Sequence, residues 1–522
     1  MTERRPCPPA PGPLEAYAGQ FDPLFGTLAQ RRNFREYLQG LLLPRDRNKT
    51  LTALVGAEPI VEAHAGAVQR LQFFLSESPW DAEAVNANRL ALLLGDPATA
   101  PHADGVLVID DTGDRKAGTH TAHVARQWLG SIGKVDNGIV AVSSLWADER
   151  VYYPLHVRPY TPGGRLPKGK QDPAFHTKPQ LALELIEAAL AAGVPFRAVV
   201  ADCAYGDNVT FEAGLWAADL PYVVSLKPSK GTWAKADAAH TPEDAAHQLR
   251  WDGPTKPGDW TAVERRFRDG HSETWWAADL TFSGYGPDRR VRLVVATTDP
   301  ATLPTISTWY LASNLPRPGS PRAADSAHVA AELEEVVRLY GLRNWVEQGY
   351  KQVKHELGWA DFMVRSDRAI RRHWQLVCCA FSFCWRAWFA EEAGTAGAAG
   401  PTSHADASAC AHSTVPAGPS TGRGENGRRF TSRHARHRRL ASDPAPSPRL
   451  AGPVGVPLAL VASVVNRAPT SGDPSPPSRR RDRLSAPPLP PGLTKYRYVQ
   501  GGPRWHVGLF GEIVAHLFPC PC

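Results

Sequence analysis

Acidic residues follow two short apolar runs of this sequence. Asp110 and Asp111 come after Val-Leu-Val-Ile, and Asp202 comes after Ala-Val-Val-Ala. Side chains at the carboxyl ends of neighbouring sheet strands converge on one edge, where carboxylates can bind metal ions. Asp is also a common turn residue, so one such run alone would indicate little. Two runs within one predicted α/β unit favour a site.

A third acid, Glu347, lies in the pattern Y-x2-R-x3-E-x6-K with Tyr340, Arg343 and Lys354. Steps of three, four and seven residues predict that all four side chains lie near one face of a helix, within which Gly341 is a candidate break. An ordinary amphipathic helix could also carry the Arg–Glu pair, which by itself would contribute only about 0.5 kcal/mol.

These residue types suit phosphoryl transfer. Three carboxylates form a hard oxygen site that favours Mg²⁺ or Mn²⁺ over zinc. Two such ions, roughly 4 Å apart, can activate an attacking oxygen and stabilise a leaving oxygen in an in-line displacement. Arg343 would offer phosphate a planar fork, and Lys354 would offer it a point charge.

The Y-x2-R-x3-E-x6-K pattern resembles the signature of insertion-sequence DDE transposases of the cut-and-paste branch, which carry a β-rich insertion. Residues 106–138, VLVIDDTGDRKAGTHTAHVARQWLGSIGKVDNG, are similar to that family's first-aspartate region. Residues 174–208, AFHTKPQLALELIEAALAAGVPFRAVVADCAYGDN, are similar to its second-aspartate region. The resemblance covers residues 20–392 and fails beyond them.

The resemblance implies a role for each matched residue. Asp111 corresponds to the first catalytic acid, from an acid-acid-Thr sequence at the strand end, with Asp110 as the alternative because strand alternation lets only one of them face the site. Asp202 corresponds to the second acid and Glu347 to the third, and these acids would hold two Mg²⁺ or Mn²⁺ ions. The residues implied to grip DNA phosphates are Tyr340, Arg343 and Lys354.

The implied activity is metal-dependent DNA strand cleavage and strand transfer at the ends of an insertion sequence. The implied partners are double-stranded DNA, as terminal inverted repeats and as target, and a second copy of the chain in a homodimer on paired ends. One alternative is a catalytically inactive or domesticated transposase-derived DNA-binding protein, because the tail lacks the Trp-rich ending expected after the last helix. A carboxylate hydrolase such as a glycosidase also needs paired acids, but it would not explain Arg343 and Lys354 beside Glu347.

The predicted fold class is α/β, with an RNase H-like catalytic core. The predicted parts are a helical N-terminal DNA-binding domain (17–98), the first part of the core (104–226), a β-rich insertion (227–320), the helical second part of the core with Glu347 (321–392) and a disordered low-complexity tail (393–522). Hydrophobic patterning predicts the order β-β-β-α-β-α-β for residues 105–226. In the first part, Arg31, Arg32 and Arg35 indicate either a solvated helix face or a DNA contact.

Composition and charge limit the classes of protein to which this chain could belong. The net charge is +7, but residues 391–522 carry 16 Lys and Arg against 8 Asp and Glu, so the first 390 residues carry −1. The overall basicity is therefore weak evidence for nucleic acid. The eight cysteines form no paired CxxC motifs, so neither a zinc site nor a disulfide framework is predicted. No apolar run reaches membrane-spanning length, and the Pro-rich start lacks a signal-peptide core. These features predict a cytoplasmic protein, and the resemblance implies a bacterial, nucleoid-associated one.

Overall fold

The computed structural model describes residues 5–231, 239–267 and 270–398. The low-complexity tail predicted from residue 393 lies outside the described residues from 399 onward. Residues 393–398 continue the last helix, which ends at Ala398. The start of the tail at residue 393 stays a prediction.

The N-terminal region is helical, as predicted. Its helices are α1 (Leu14–Ala18), α2 (Leu28–Leu42), α3 (Leu51–Leu54), α4 (Gly66–Ser76) and α5 (Ala82–Leu94). Thr27 and Gln30 form a capping box at the start of α2, and Asp81 caps α5. A cluster of aromatic rings packs between these helices; its members are Phe21, Phe25, Phe34, Phe74 and Trp80.

The basic cluster on α2 is largely structural. The Arg35 side chain is buried, with Nη2 2.6 Å from Glu15 Oε1 and Nη1 2.7 Å from Asp22 Oδ1. Arg31 is also buried, and Arg32 is exposed. The expectation of a solvated face therefore holds for Arg32 and is wrong for the other two, because carboxylates and carbonyls of the N-terminal segment cover them.

In the part of the chain that the structure describes, ten strands form a mixed central sheet. They are β1 (Val106–Arg115), β2 (Ala125–Leu129), β3 (Lys134–Ala147), β4 (Tyr152–Tyr160), β5 (Ala198–Ala201), β6 (Tyr222–Leu226), β7 (Thr261–Arg266), β8 (Ser272–Leu280), β9 (Arg292–Thr297) and β10 (Thr308–Ser313). The order is β2-β3-β1-β5-β6-β10-β9-β8-β7, with β4 also paired to β3. The β1–β5 and β5–β6 pairs are parallel, and the other pairs are antiparallel.

The remaining helices are α6 (Lys178–Ala191), α7 (Cys203–Gly206), α8 (Val209–Ala217), α9 (Pro242–His247), α10 (Pro321–Asp325), α11 (Leu333–Gly341), α12 (Asn344–His355) and α13 (Asp367–Ala398). The apolar face of α13 contacts both the N-terminal helices and the sheet: Tyr17 donates a hydrogen bond to the Cys379 carbonyl, and Trp385 donates one to the Tyr152 carbonyl. Within the residues described, no helix is long and apolar enough to cross a membrane.

The predicted mixed α/β architecture with a helical N-terminus is confirmed, and two details differ. The predicted strand order lacks β2, a five-residue edge strand whose exposed positions include Arg126 and Trp128, so it has no continuous apolar run to reveal it. The strands predicted within 227–320 are present as β7 to β10, and they extend the central sheet through the β6–β10 pair.

Candidate active site

The strand register brings two of the predicted acids to one edge of the sheet. In the parallel β1–β5 pair, Ile109 lies opposite Ala201, so Asp110 and Asp202 follow at the same level. Asp202 keeps an extended backbone and accepts a hydrogen bond from the Ala204 N–H at the start of α7. Because side chains alternate along strands, Asp110 and Asp202 share one face.

The guanidinium of Arg343 lies among three carboxylates. Its Nη2 is 3.0 Å from Asp110 Oδ2 and 3.8 Å from Asp202 Oδ2, and its Nη1 is 3.6 Å from Glu347 Oε1. The Nε of Arg343 is buried without a hydrogen-bond partner within the described part of the chain. The Arg343 guanidinium is therefore shared by carboxylates from β1, from the residue after β5 and from α12.

Asp111 has different partners. Its Oδ2 is 3.0 Å from Lys178 Nζ and accepts a 3.4 Å hydrogen bond from Tyr205. Lys178 opens α6, and Tyr205 lies in α7, directly after Asp202. Sequence reasoning missed both residues, and no spacing rule would have found them, because each reaches Asp111 only through tertiary packing.

Negative charge exceeds positive charge at this edge. Burial raises the pKa of Asp110 to about 7; Arg343 opposes this rise, and the nearby charges of Asp202 and Asp111 add to it. Four carboxylates here contact two cations, Arg343 and Lys178. Such an edge has the chemistry to bind further positive charge.

The Y-x2-R-x3-E-x6-K residues lie on two helices and in the turn between them, where Arg343 directly precedes α12. α11 ends at Gly341 and α12 begins at Asn344, so the prediction of a single helical face is wrong for Tyr340. The Tyr340 ring is buried and lies 5.0 Å from the Trp309 ring, and this packing directs it into the core. The helix break predicted at Gly341 is confirmed, because α11 ends at this residue.

Lys354 contacts β1 beyond the acids. Its Nζ is 2.7 Å from Asp114 Oδ1 and 3.3 Å from the Gly113 carbonyl oxygen. The structure therefore brings Arg343 and Glu347 to Asp110 and Asp202, and it places Lys354 further along the same strand.

The helix that carries Glu347 packs closely on the sheet. The Tyr350 hydroxyl and Ser143 Oγ are 2.7 Å apart, and Ser143 lies opposite Asp110 in the β1–β3 register. A Cβ at Gly349 would lie 3.3 Å from a Leu145 methyl carbon, so glycine permits the close approach of α12. These contacts hold Glu347 near the strand that carries Asp110.

Among the described residues, no group of three or more His, Cys, Asp or Glu is close enough to hold a metal ion as it stands. The carboxylates instead share the Arg343 guanidinium. All of them are hard oxygen donors with excess negative charge, so their chemistry fits a divalent cation.

Comparisons with known proteins agree with this site. Residues 20–279, which include Asp110, Asp111 and Asp202, match the family described as DDE superfamily endonuclease. The chain is 32% identical over 367 residues to the "Probable transposase for insertion sequence element IS701" of Microchaete diplosiphon, and the alignment covers 69% of this chain and 84% of that protein. With the acids gathered at the sheet edge and this similarity along most of both sequences, the chain belongs to the insertion-sequence DDE transposases, a family of DNA-cleaving enzymes that generally use divalent metal ions.

Proposed function

We propose that this chain cleaves DNA at the ends of an insertion sequence and joins the freed strand to target DNA. The observation that carries the proposal is the convergence of Asp110, Asp202 and Glu347 on Arg343, beside the point where the parallel pairing of β1 with β5 ends. All of these carboxylates are present, which favours catalysis over the alternative of a DNA-binding protein without cleavage.

For the first acid, we propose Asp110. Its place on the same sheet face as Asp202 and its contact with Arg343 support this choice. The acid-acid-Thr resemblance supports Asp111 instead, whose carboxylate is paired with Lys178. In this proposal Asp111 orients Lys178 and Tyr205 beside the metal-binding acids.

The proposed cofactor is a pair of Mg²⁺ or Mn²⁺ ions held by Asp110, Asp202 and Glu347, because these side chains offer only hard oxygen donors. When bound, the ions would activate the attacking oxygen and stabilise the leaving oxygen of an in-line displacement. Arg343 would offer its planar fork to a DNA phosphate, where bidentate contact fixes orientation. Lys354 adds a second positive charge along β1, and Tyr340 positions the start of α12 from the core.

The proposed organisation follows from where the acids lie. An RNase H-like core would comprise residues 104–226 and 321–392, with 227–320 inserted between β6 and the glutamate helix and with 17–98 as a DNA-binding domain. The proposed partners are the terminal inverted repeats, target DNA and a second copy of the chain, since two ends must be cut in concert. The proposed location is the nucleoid of a bacterial cytoplasm.

The test is a cleavage assay on a plasmid that carries the terminal repeats of the parent element. We compare Mg²⁺ with EDTA, using the unmodified chain, Glu347→Gln and the matched control Glu334→Gln, which changes an exposed glutamate on α11. We expect cleavage at the repeats only with Mg²⁺, from the unmodified chain and the control. Cleavage that survives Glu347→Gln would contradict the proposed site, and absence of DNA binding would contradict the proposed function.

A further inference from the structure

A guanidinium lies among aromatic rings in the part of the sheet that β7 to β10 form. Arg265 Cζ is 4.4 Å from the centre of the Trp275 ring and 4.5 Å from that of the Trp309 ring. The Phe267 ring centre is 4.7 Å from the same carbon. Ring faces attract a cation at these distances, so the three rings hold the guanidinium in one place.

The hydrogen-bond donors of Arg265 have no partner among the residues that the structure describes. No carboxylate there lies within ion-pair distance of its guanidinium, and none of its nitrogens is fully enclosed, so the donors reach solvent. Arg292 on β9 is the opposite case, because it pairs with Asp279 and donates to the Ala331 carbonyl. The planar fork of Arg265 is therefore open to a ligand.

The charge of Arg265 is only weakly compensated. Burial lowers the pKa of Arg265 to about 10, and the negative charge of Glu273 opposes this decrease. The side chain is therefore still positive near neutral pH, although part of its hydration is lost. A cation in this state gains from contact with an anion.

Strand register places Arg265 on the face of the sheet that carries Asp110 and Asp202. Residues paired between neighbouring strands share a face, and so do residues two positions apart on one strand. Four pairs follow this face from β7 to β6: Arg265–Glu273, Ala277–Ala296, Ala296–Trp309 and Leu311–Ser225. The β5–β6 register then sets Ser225 beside Asp202.

Arg265 also contacts the helix break that precedes the candidate site. A Cβ at Gly341 would lie 3.2 Å from Arg265 Nη2 and 3.5 Å from its Nε, so glycine lets the guanidinium lie against the backbone. Tyr340, beside Gly341, packs on the Trp309 ring. Gly341 is two residues before Arg343. Arg265 and Arg343 therefore lie at the same turn between α11 and α12.

We propose that Arg265 binds a backbone phosphate of the DNA end that is cut at the acids, and that Trp275 and Trp309 hold its guanidinium ready for this contact. The inference rests on the proposed function and adds a DNA contact from β7. A guanidinium can donate two parallel hydrogen bonds to one phosphate. DNA is favoured over a protein carboxylate as the ligand, because this cation lies on the face of the acids and at the turn before Arg343, where the cleaved strand must pass.

The first test measures binding of a fluorescein-labelled duplex that carries the terminal repeat, by anisotropy in EDTA at several salt concentrations. We expect Arg265→Gln to raise Kd about tenfold and to flatten the dependence of log K on log salt by about 0.9, the loss of one phosphate contact. Arg265→Lys keeps the charge and loses the planar fork, so it should keep the slope and raise Kd about threefold.

The matched control is Arg266→Gln, which removes the same charge from the next residue of β7. Arg266 is exposed and points to the other face of the sheet. Kd and the salt slope should not change in this variant. Melting curves check that each variant is folded.

A second test uses duplexes in which one phosphate at a time is replaced by an uncharged methylphosphonate. We expect one position to raise Kd about tenfold for the unmodified chain and for Arg266→Gln, about threefold for Arg265→Lys and not at all for Arg265→Gln, because the same contact is already lost. The comparison with Arg265→Lys decides the question if Arg265→Gln does not fold.

Two outcomes would overturn the inference. One is a lower melting temperature of Arg265→Gln with an unchanged salt slope, which would make Arg265 a structural residue only. The other is a methylphosphonate effect that is equal in the unmodified chain and the Arg265 variants at every position. Failure of the unmodified chain to bind or cut the repeat DNA would instead refute the proposed function, so the two failures are distinguishable.

Discussion

Two largely buried arginines, Arg35 in the helical N-terminal region and Arg343 at the sheet edge, show how differently similar ion pairs can serve a protein. Arg35 contacts Glu15 at 2.6 Å and Asp22 at 2.7 Å, and its hydrogen bond lowers the pKa of Glu15. Arg343 contacts its three carboxylates at 3.0 to 3.8 Å, and burial raises the pKa of Asp110 to about 7 despite it. The first region sets two carboxylates against one cation at close range, and the second sets four carboxylates against two cations, with longer contacts around Arg343.

The difference teaches where to look for function. Close, complete pairing within one helical layer uses up the charge of both partners and stabilises the fold. Longer contacts from one cation to several acids leave a carboxylate whose pKa is raised, and such a group can still gain from a bound metal ion. Both regions contain a conspicuous basic residue in the sequence, and the raised pKa of Asp110 in the second, against the lowered pKa of Glu15 in the first, indicates the site.

The largest expected effect tests which acid belongs to the site. Asp110→Asn should reduce the single-turnover cleavage rate in Mg²⁺ about 1000-fold or more, because it removes a direct metal ligand. Asp111→Asn should reduce it only about tenfold, because it loosens Lys178. The control is Asp104→Asn, at an exposed position before β1. A larger loss of cleavage rate in Asp111→Asn than in Asp110→Asn would instead make Asp111 the metal ligand.

The next effect tests whether Arg35 is purely structural. Arg35→Gln should lower the free energy of unfolding by about 3 kcal/mol, since it leaves two partly buried carboxylates without their cation. DNA affinity of the folded protein should not change. Urea unfolding measures the stability, and fluorescence anisotropy measures the DNA affinity. The control is Arg32→Gln, which breaks an exposed ion pair and should lower the free energy of unfolding by less than about 0.5 kcal/mol. A large loss of affinity at unchanged stability would instead make α2 a DNA contact.

A smaller effect tests the acid excess around Arg343. In EDTA, Arg343→Gln should lower the free energy of unfolding by about 2 kcal/mol, because the acids then repel one another without a cation. Added Mg²⁺ should raise the melting temperature of this variant more than that of the unmodified chain. Added Mg²⁺ should raise the melting temperature of Arg35→Gln no more than that of the unmodified chain. Equal Mg²⁺ responses in all three proteins would remove the distinction between the two regions.

The smallest expected effect is a dependence of protein stability on pH rather than on Mg²⁺. In the helical layer, His373 Nε2 donates to the Gly358 carbonyl and Nδ1 accepts from Tyr37, and burial lowers the pKa of His373 from 6.5 to about 4. The unfolded chain therefore binds the proton first, so stability is full above pH 6.5 and falls as pH drops towards 4. Between pH 6.5 and 5.5 the loss should be about 1 kcal/mol.

The difference between the unmodified chain and His373→Gln in urea unfolding at the two pH values measures this loss, because the opposite contribution of Asp110, whose pKa is raised to about 7, is common to both proteins. An identical pH dependence in the two proteins would show that other groups are responsible. Mg²⁺ should not alter the difference between the two proteins, because His373 lies in the helical layer and not among the acids.

Much of the candidate site could be predicted because its signals are local. Apolar runs that end in acid marked β1 and β5, and helical spacing marked Glu347 on α12 and Arg343 just before it. The edge strand β2 escaped notice because its face towards solvent carries Arg126 and Trp128, so its apolar residues do not form a run. The domain boundaries and the roles of the DNA-gripping residues stay predictions.

The sequence by itself determined the family, the mixed α/β class and the positions of the candidate acids. These properties depend on residue types and their spacing, which the sequence contains directly. Only the tertiary structure decided which of Asp110 and Asp111 shares a cation with Asp202 and Glu347, that Lys178 pairs with Asp111, and that Arg35 is buried between carboxylates. Strand alternation requires adjacent aspartates to point to opposite faces. What packs on each face depends on contacts between residues far apart in the chain, which local patterns do not encode.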